Sequence, residues 1–118
     1  MSENKNDLDL TVLSTRRLLT RRRKVAAGIG DVERVLAGSL VQQTRRCGKR
    51  DCRCADGAPH GPYSYFSPRP HGRGRLKYVP AALADVVGRY LHRQGEVDAA
   101  LAEIAAINAE LLARGELS

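Results

Sequence analysis

Tryptophan is missing from this chain, phenylalanine occurs once and tyrosine four times. A core with so few large rings gains little apolar area per side chain. A chain of 118 residues with this composition is expected to need a staple or a partner. No apolar run approaches the ~20 residues that a membrane-spanning helix requires. No carboxylate pair, nucleophile–base motif or phosphate-cradling loop occurs, which points away from an enzyme. The first ten residues, MSENKNDLDL, are polar and acidic and do not resemble a targeting segment. A cytoplasmic protein is therefore expected.

Cysteine is also scarce, but its placement is informative. All three cysteines fall in Cys47-Gly-Lys-Arg-Asp-Cys52-Arg-Cys54, and His60 follows a short loop later. Three thiolates and one imidazole make a complete tetrahedral ligand set for zinc. Gly48, Gly57, Pro59 and Gly61 let a short chain curl around one ion. The odd count argues against a disulfide framework. The neighbouring Arg, Lys and Asp argue against a merely apolar role for the thiols. The spacing departs from the paired C-x2-C of common zinc motifs, and His71 or a water is the alternative fourth ligand. Unligated cysteines in a loop remain the competing reading. A closed set of four protein ligands leaves no position for substrate or an activated water.

Charge is segregated along the chain. Residues 16–77 carry sixteen Lys or Arg against four acids, whereas residues 95–118 carry one Arg against five acids. A solvated, generic surface mixes the signs. This segregation predicts a polyanionic partner, with DNA favoured over RNA. Candidate contacts are Arg45, Arg46, Lys49, Arg50 and Arg53 around the metal ligands, and Arg69, Arg73, Arg75 and Lys77 on the adjoining hairpin. The basic run over residues 16–24 adds non-specific attraction. Tyr63, Tyr65 and Tyr78, interleaved with cations, offer an alternative role as a stacking platform for single strands or RNA. Packing within a minimal core is their competing role.

The elements follow from periodicity. Residues 1–7 read as a disordered tail. Residues 8–37 read as a basic helical region, with Leu18, Val25, Ile29, Val32 and Leu36 on one face. Gly28 and Gly30 weaken its middle, and Asp31 is placed to cap a second helix there. Gly38 is expected to end the helix. Residues 38–80 then form a zinc-binding β-head. Strands are expected over 39–44, 62–67 and 75–79, giving a three-stranded antiparallel meander whose first connection is the metal loop. Pro80 opens a coiled-coil-like helix over 81–114. Its d positions are Leu83, Tyr90, Val97, Ile104 and Leu111, and its a positions Val87, Gln94, Leu101 and Asn108. Polar residues at a fix register in parallel pairs, so a homodimer through this seam is expected, aided by Arg93 opposite Asp98. The alternative is that the seam packs on the chain's own N-terminal helix. The fold class is α+β.

The strings Gly38-Ser39-Leu40, Cys47-Gly48-Lys49, Cys52-Arg53-Cys54-Ala55, His60-Gly61-Pro62-Tyr63-Ser64-Tyr65 and Tyr78-Val79-Pro80 resemble a family of short bacterial proteins of unknown function. The resemblance covers about residues 38–112 and leaves the N-terminal arginine run outside. It implies zinc at Cys47, Cys52, Cys54 and His60, and an association with mobile elements. It supplies no established activity. The expected function is a zinc-stabilised, dimeric DNA-binding accessory factor or regulator, with a recombinase or transposase as candidate protein partner. The alternatives are a structural-zinc interaction adaptor and a single-strand or RNA binder.

Overall fold

The structure is a computed structural model that describes residues 9–69 and 76–118. The expectations for residues 1–7, for Arg73 and Arg75, and for His71 as alternative ligand fall outside the described residues. The order of regular elements is α1 (Thr15–Ala27), β1 (Gly38–Arg45), β2 (His60–Pro68), β3 (Lys77–Val79) and α2 (Ala81–Ala113). The fold is α+β, as the periodicities predict. By contact the chain divides into two compact units, Met1–Glu33 with Gly95–Ser118, and Arg34–Gln94. Among the described residues no helix is long and apolar enough to cross a membrane.

The first unit is built from α1 and the C-terminal part of α2. Ser14 caps α1 by accepting the Arg17 N–H at 3.2 Å. Ahead of it, Asp9 accepts from the Thr11 N–H and hydroxyl, and these bonds hold its carboxyl below the ordinary value. Leu18, Ile107 and Leu111 are fully buried against one another, with Leu10, Leu13 and Leu19 packed around them. Polar bonds frame this core. Arg21 pairs with Glu103, and Arg22 donates to Asn108 Oδ1 at 2.8 Å. Arg114 bonds Glu110 at 2.7 Å and also reaches the Leu10 and Thr11 carbonyls. The C-terminal end of α2 closes with Glu116 N–H on the Leu111 carbonyl and Gly115 N–H on that of Leu112, a Schellman arrangement.

Two differences from the sequence reading fall in the helices. The helix expected over 8–37 occupies only Thr15–Ala27. Gly28 closes it, with its N–H on the Lys24 and Val25 carbonyls. Asp31 then accepts the Glu33 N–H at 2.9 Å, forming a turn where a second helix cap was expected. Val32, expected on an apolar helix face, is instead 55% exposed. The second difference concerns the α2 seam. Leu111 packs on Leu18 of the same chain, and Asn108 has Arg22 as its partner. The C-terminal end of the seam is thus engaged within the chain.

The second unit is the meander, in order β1-β2-β3, both pairs antiparallel. Register places Val41 beside Tyr65 and Tyr65 beside Tyr78, while Leu40, Phe66 and Lys77 form the adjacent row on the other face. Val79 lies on that second face and is buried. Gly38 does not end a helix, as expected, but opens β1. Its φ is +151°, and a Cβ there would lie 2.1 Å from the Ser67 carbonyl oxygen. At Gly61, φ is +110° and a Cβ would meet the Gln43 oxygen at 3.0 Å. Both glycines sit where two strands come too close for a side chain. Gly38→Ala is therefore expected to destabilise the protein by about 1–3 kcal/mol. Gly88→Ala, within α2 and with nothing within 4 Å of the new Cβ, should stabilise it by about 0.5–1 kcal/mol. Urea unfolding of the two variants checks the contrast in sign.

Candidate metal centre

The sheet creates the site by bringing its two ends together. Arg45, the last residue of β1, lies opposite His60, the first of β2, across an irregularity that follows Gln43. Residues 46–59 must therefore close a loop between two neighbouring strands. Within that loop, Cys52 N–H bonds the Lys49 carbonyl at 3.3 Å. Arg53–Ala55 then form a single 3₁₀ turn, with Ala55 N–H on the Cys52 carbonyl at 3.0 Å. Gly57 N–H returns to the Arg53 carbonyl at 2.9 Å, and Arg46 donates to the Gly57 carbonyl at 3.0 Å. These bonds turn Cys52 and Cys54 inward, toward Cys47 and His60.

The four candidate ligand atoms all lie within 4.8 Å of one another. Cys47 Sγ is 3.5 Å from Cys54 Sγ, and Cys52 Sγ is 3.1 Å from His60 Nε2. In a tetrahedral zinc site, bond lengths of about 2.3 Å to sulfur and 2.0 Å to nitrogen put ligand atoms about 3.5–3.8 Å apart. The 3.5 Å and 3.1 Å separations lie at and just below that range and none exceeds 4.8 Å, so the four atoms are close enough to hold one ion. Burial is graded, with Cys54 only 1% exposed, Cys52 and His60 half-buried, and Cys47 exposed. The Cys47 N–H points at Cys54 Sγ at 3.3 Å, the kind of bond that steadies a thiolate ligand. All three cysteines are free of disulfides. The donor set is close enough to hold one metal ion and suits zinc in its chemistry.

Of the cations expected to bind nucleic acid, Arg45, Arg46, Lys49, Arg50 and Arg53 lie on or beside this loop, whereas Arg69 follows the opposite end of β2, with its N–H on the Ala37 carbonyl, and Lys77 lies on β3 opposite Phe66. Arg45, Arg46, Lys49, Arg50, Arg53, Arg69 and Lys77 are all exposed. Arg46 is partly committed to the loop through Gly57, and Arg45 donates to the Tyr65 hydroxyl. Lys77 projects from the face opposite the tyrosines, by the strand register. The structuring role of Arg46 had no signature in the sequence, because its partner is a backbone carbonyl.

An α+β protein bearing a Cys3His cluster close enough to hold a metal ion is the class these features define. Residues 15–88 match the family described as Domain of unknown function (DUF6788), and the chain belongs to it. The match begins at α1, so it takes in the arginine run that the sequence resemblance left outside. No curated protein and no solved structure matches the chain.

Proposed function

We propose that this protein is a zinc-stabilised nucleic-acid-binding protein, with DNA the favoured partner, in which the metal is structural. The observation that carries the reading is the set of exposed cations on the metal loop and at the far end of the sheet. Among the described residues, Lys49, Arg50, Arg53 and Arg69 form no ion pair or hydrogen bond through their side chains. Lys49, Arg50 and Arg53 crowd one small loop with Asp51 the one acid among them, while Arg69 stands at the other end of β2, and like charges held close repel one another unless an anion joins them. A phosphate backbone supplies anions at a repeating interval and releases counterions on binding. The four protein ligands complete a tetrahedral sphere, which supports a scaffold role and not catalysis for the metal.

Self-association belongs to the same proposal. Leu83 and Leu101 lie on the α2 seam and are 51% and 52% exposed. With Val87, Tyr90, Val97 and Ile104 they offer a dimer seam that does not require Asn108 or Leu111. The accessory or regulatory role near a mobile element rests on the family resemblance alone.

The test is the salt dependence of binding to a DNA duplex. Replacing Lys49, Arg50, Arg53 and Arg69 together by Gln is expected to reduce the log–log salt slope, by about 0.9 for each phosphate that is no longer neutralised. Zinc content should stay unchanged. An unaltered slope, or no binding by the parent protein at low salt, would overturn the assigned surface.

A further inference from the structure

The tyrosine face of the sheet is a second feature that the phosphate contacts leave unused. Register sets Tyr65 directly beside Tyr78, with Tyr63 two positions from Tyr65 on the same strand and face. The Tyr78 ring lies 5.8 Å from that of Tyr65 and 6.4 Å from that of Tyr63. The interplanar angles are 66° and 67°, so Tyr78 meets both neighbours edge to face. Tyr78 is nevertheless 57% exposed. The three rings and Arg45 line one shallow concavity. Arg45 donates to the Tyr65 hydroxyl, which holds a guanidinium at the edge of the aromatic cluster.

Core packing alone does not account for this arrangement. The buried residue of the sheet, Val79, is on the opposite face, and on the tyrosine face Tyr78 is exposed while Tyr63 and Tyr65 are half-buried. Neighbouring Val41, Gln43 and Ser67 on the tyrosine face carry no charge, and among the described residues that line the concavity Arg45 is the one that does. A ligand complementary to this surface has a flat apolar part and an anionic part next to it. An unpaired nucleotide has both. A base within a duplex has its faces covered by its neighbours and cannot use the rings.

We infer that Tyr63, Tyr65, Tyr78 and Arg45 form a base-stacking site for unpaired nucleotides. This inference deepens the nucleic-acid reading above and rests on it. The rings take the base, and Arg45 takes the adjoining phosphate. The partner is then single-stranded or locally unpaired nucleic acid, and the cations of the metal loop track its backbone.

The chain provides its own optical probe. It has no tryptophan, and three of its four tyrosines are in the site. Intrinsic tyrosine emission of the full-length, zinc-loaded protein would be titrated with oligothymidylate, with a DNA duplex and with inorganic polyphosphate. Stacking should quench the emission with oligothymidylate and much less with the other two. Tyr78→Leu should weaken oligothymidylate binding about tenfold, the scale of one stacked base. Tyr78→Phe, which keeps the ring, should bind like the parent. Zinc content and duplex affinity of both variants should match the parent, since Tyr78 is mostly exposed. Equal oligothymidylate binding by parent and Tyr78→Leu, or equal quenching by polyphosphate, would overturn the stacking site and leave phosphate binding standing. Failure of all three probes to bind at low salt would overturn both readings.

Discussion

Stripping zinc from the protein with a strong chelator is expected to unfold residues 46–60 while leaving the first unit's helices formed. The loop has little else to hold it. Its backbone is tied by a handful of turn bonds, from Cys52, Ala55, Asp56 and Gly57. Each such bond contributes a net of about 0.5–1.5 kcal/mol. Its only fully buried side chain is Cys54. Ordering each residue costs about 1–2 kcal/mol in backbone entropy, so the loop cannot stay closed on those bonds alone. A structural zinc ion contributes about 10–16 kcal/mol in small zinc-dependent folds, and that magnitude decides the balance. Cys54→Ala should act like the chelator, because it removes a ligand and the acceptor of the Cys47 N–H together. One zinc per chain is expected by metal analysis. Amide exchange should accelerate across residues 47–60 on metal removal, and less at residues 38–43, where strand pairing is regular. A metal-free protein that keeps its protection across residues 47–60 would defeat the metal centre.

The metal cluster was legible in the sequence because its chemistry is local. Four ligand residues between Cys47 and His60 leave the chain few ways to arrange them, and soft donors at that density have few other uses. The three strands were legible for a related reason. Alternation of small runs such as Tyr63-Ser64-Tyr65 reports a two-residue period wherever the strand goes. The helix boundary at Ala27 was less legible, since Gly28 marks a break while the apolar spacing of Ile29, Val32 and Leu36 continues through it. Tertiary context decided against the spacing, and Val32 ended in solvent. Gly38 was misplaced because a glycine at an element junction serves equally as a helix stop or as a strand start. Only the Ser67 carbonyl, far away in sequence, distinguishes the two. The heptad seam of α2 shows the same limit in another form. A periodic apolar stripe states that a helix face is covered, but not by which chain. The partners Leu18 for Leu111, Arg22 for Asn108 and Arg21 for Glu103 are joined across large sequence separations, and no local pattern encodes them.

The two adjacent leucines near the end of α2 turn this last point into a measurement. Leu111 is fully buried against Leu18 and Ile107, whereas Leu112, one step around the helix, is 65% exposed. Truncating Leu111 to Ala removes apolar packing and leaves a cavity at the centre of a core of only three fully buried side chains. Such replacements cost about 2–5 kcal/mol, a large share of the stability of a small domain. Repacking offers little relief, because Arg114 and Glu110 pin the same helix end to each other and to the Leu10 and Thr11 carbonyls. Leu112→Ala should change stability by no more than about 0.5 kcal/mol, as surface substitutions do. The comparison also tests the assignment of Leu111 to the chain's own core. If the packing is internal, the destabilisation in Leu111→Ala is the same at every protein concentration in urea unfolding followed by helical circular dichroism. If Leu111 instead serves a dimer seam, the parent's unfolding midpoint rises with protein concentration and the replacement weakens or removes that dependence, so its cost varies with concentration. Equal costs for the two leucines would show that the core of Leu18, Ile107 and Leu111 does not hold the first unit together.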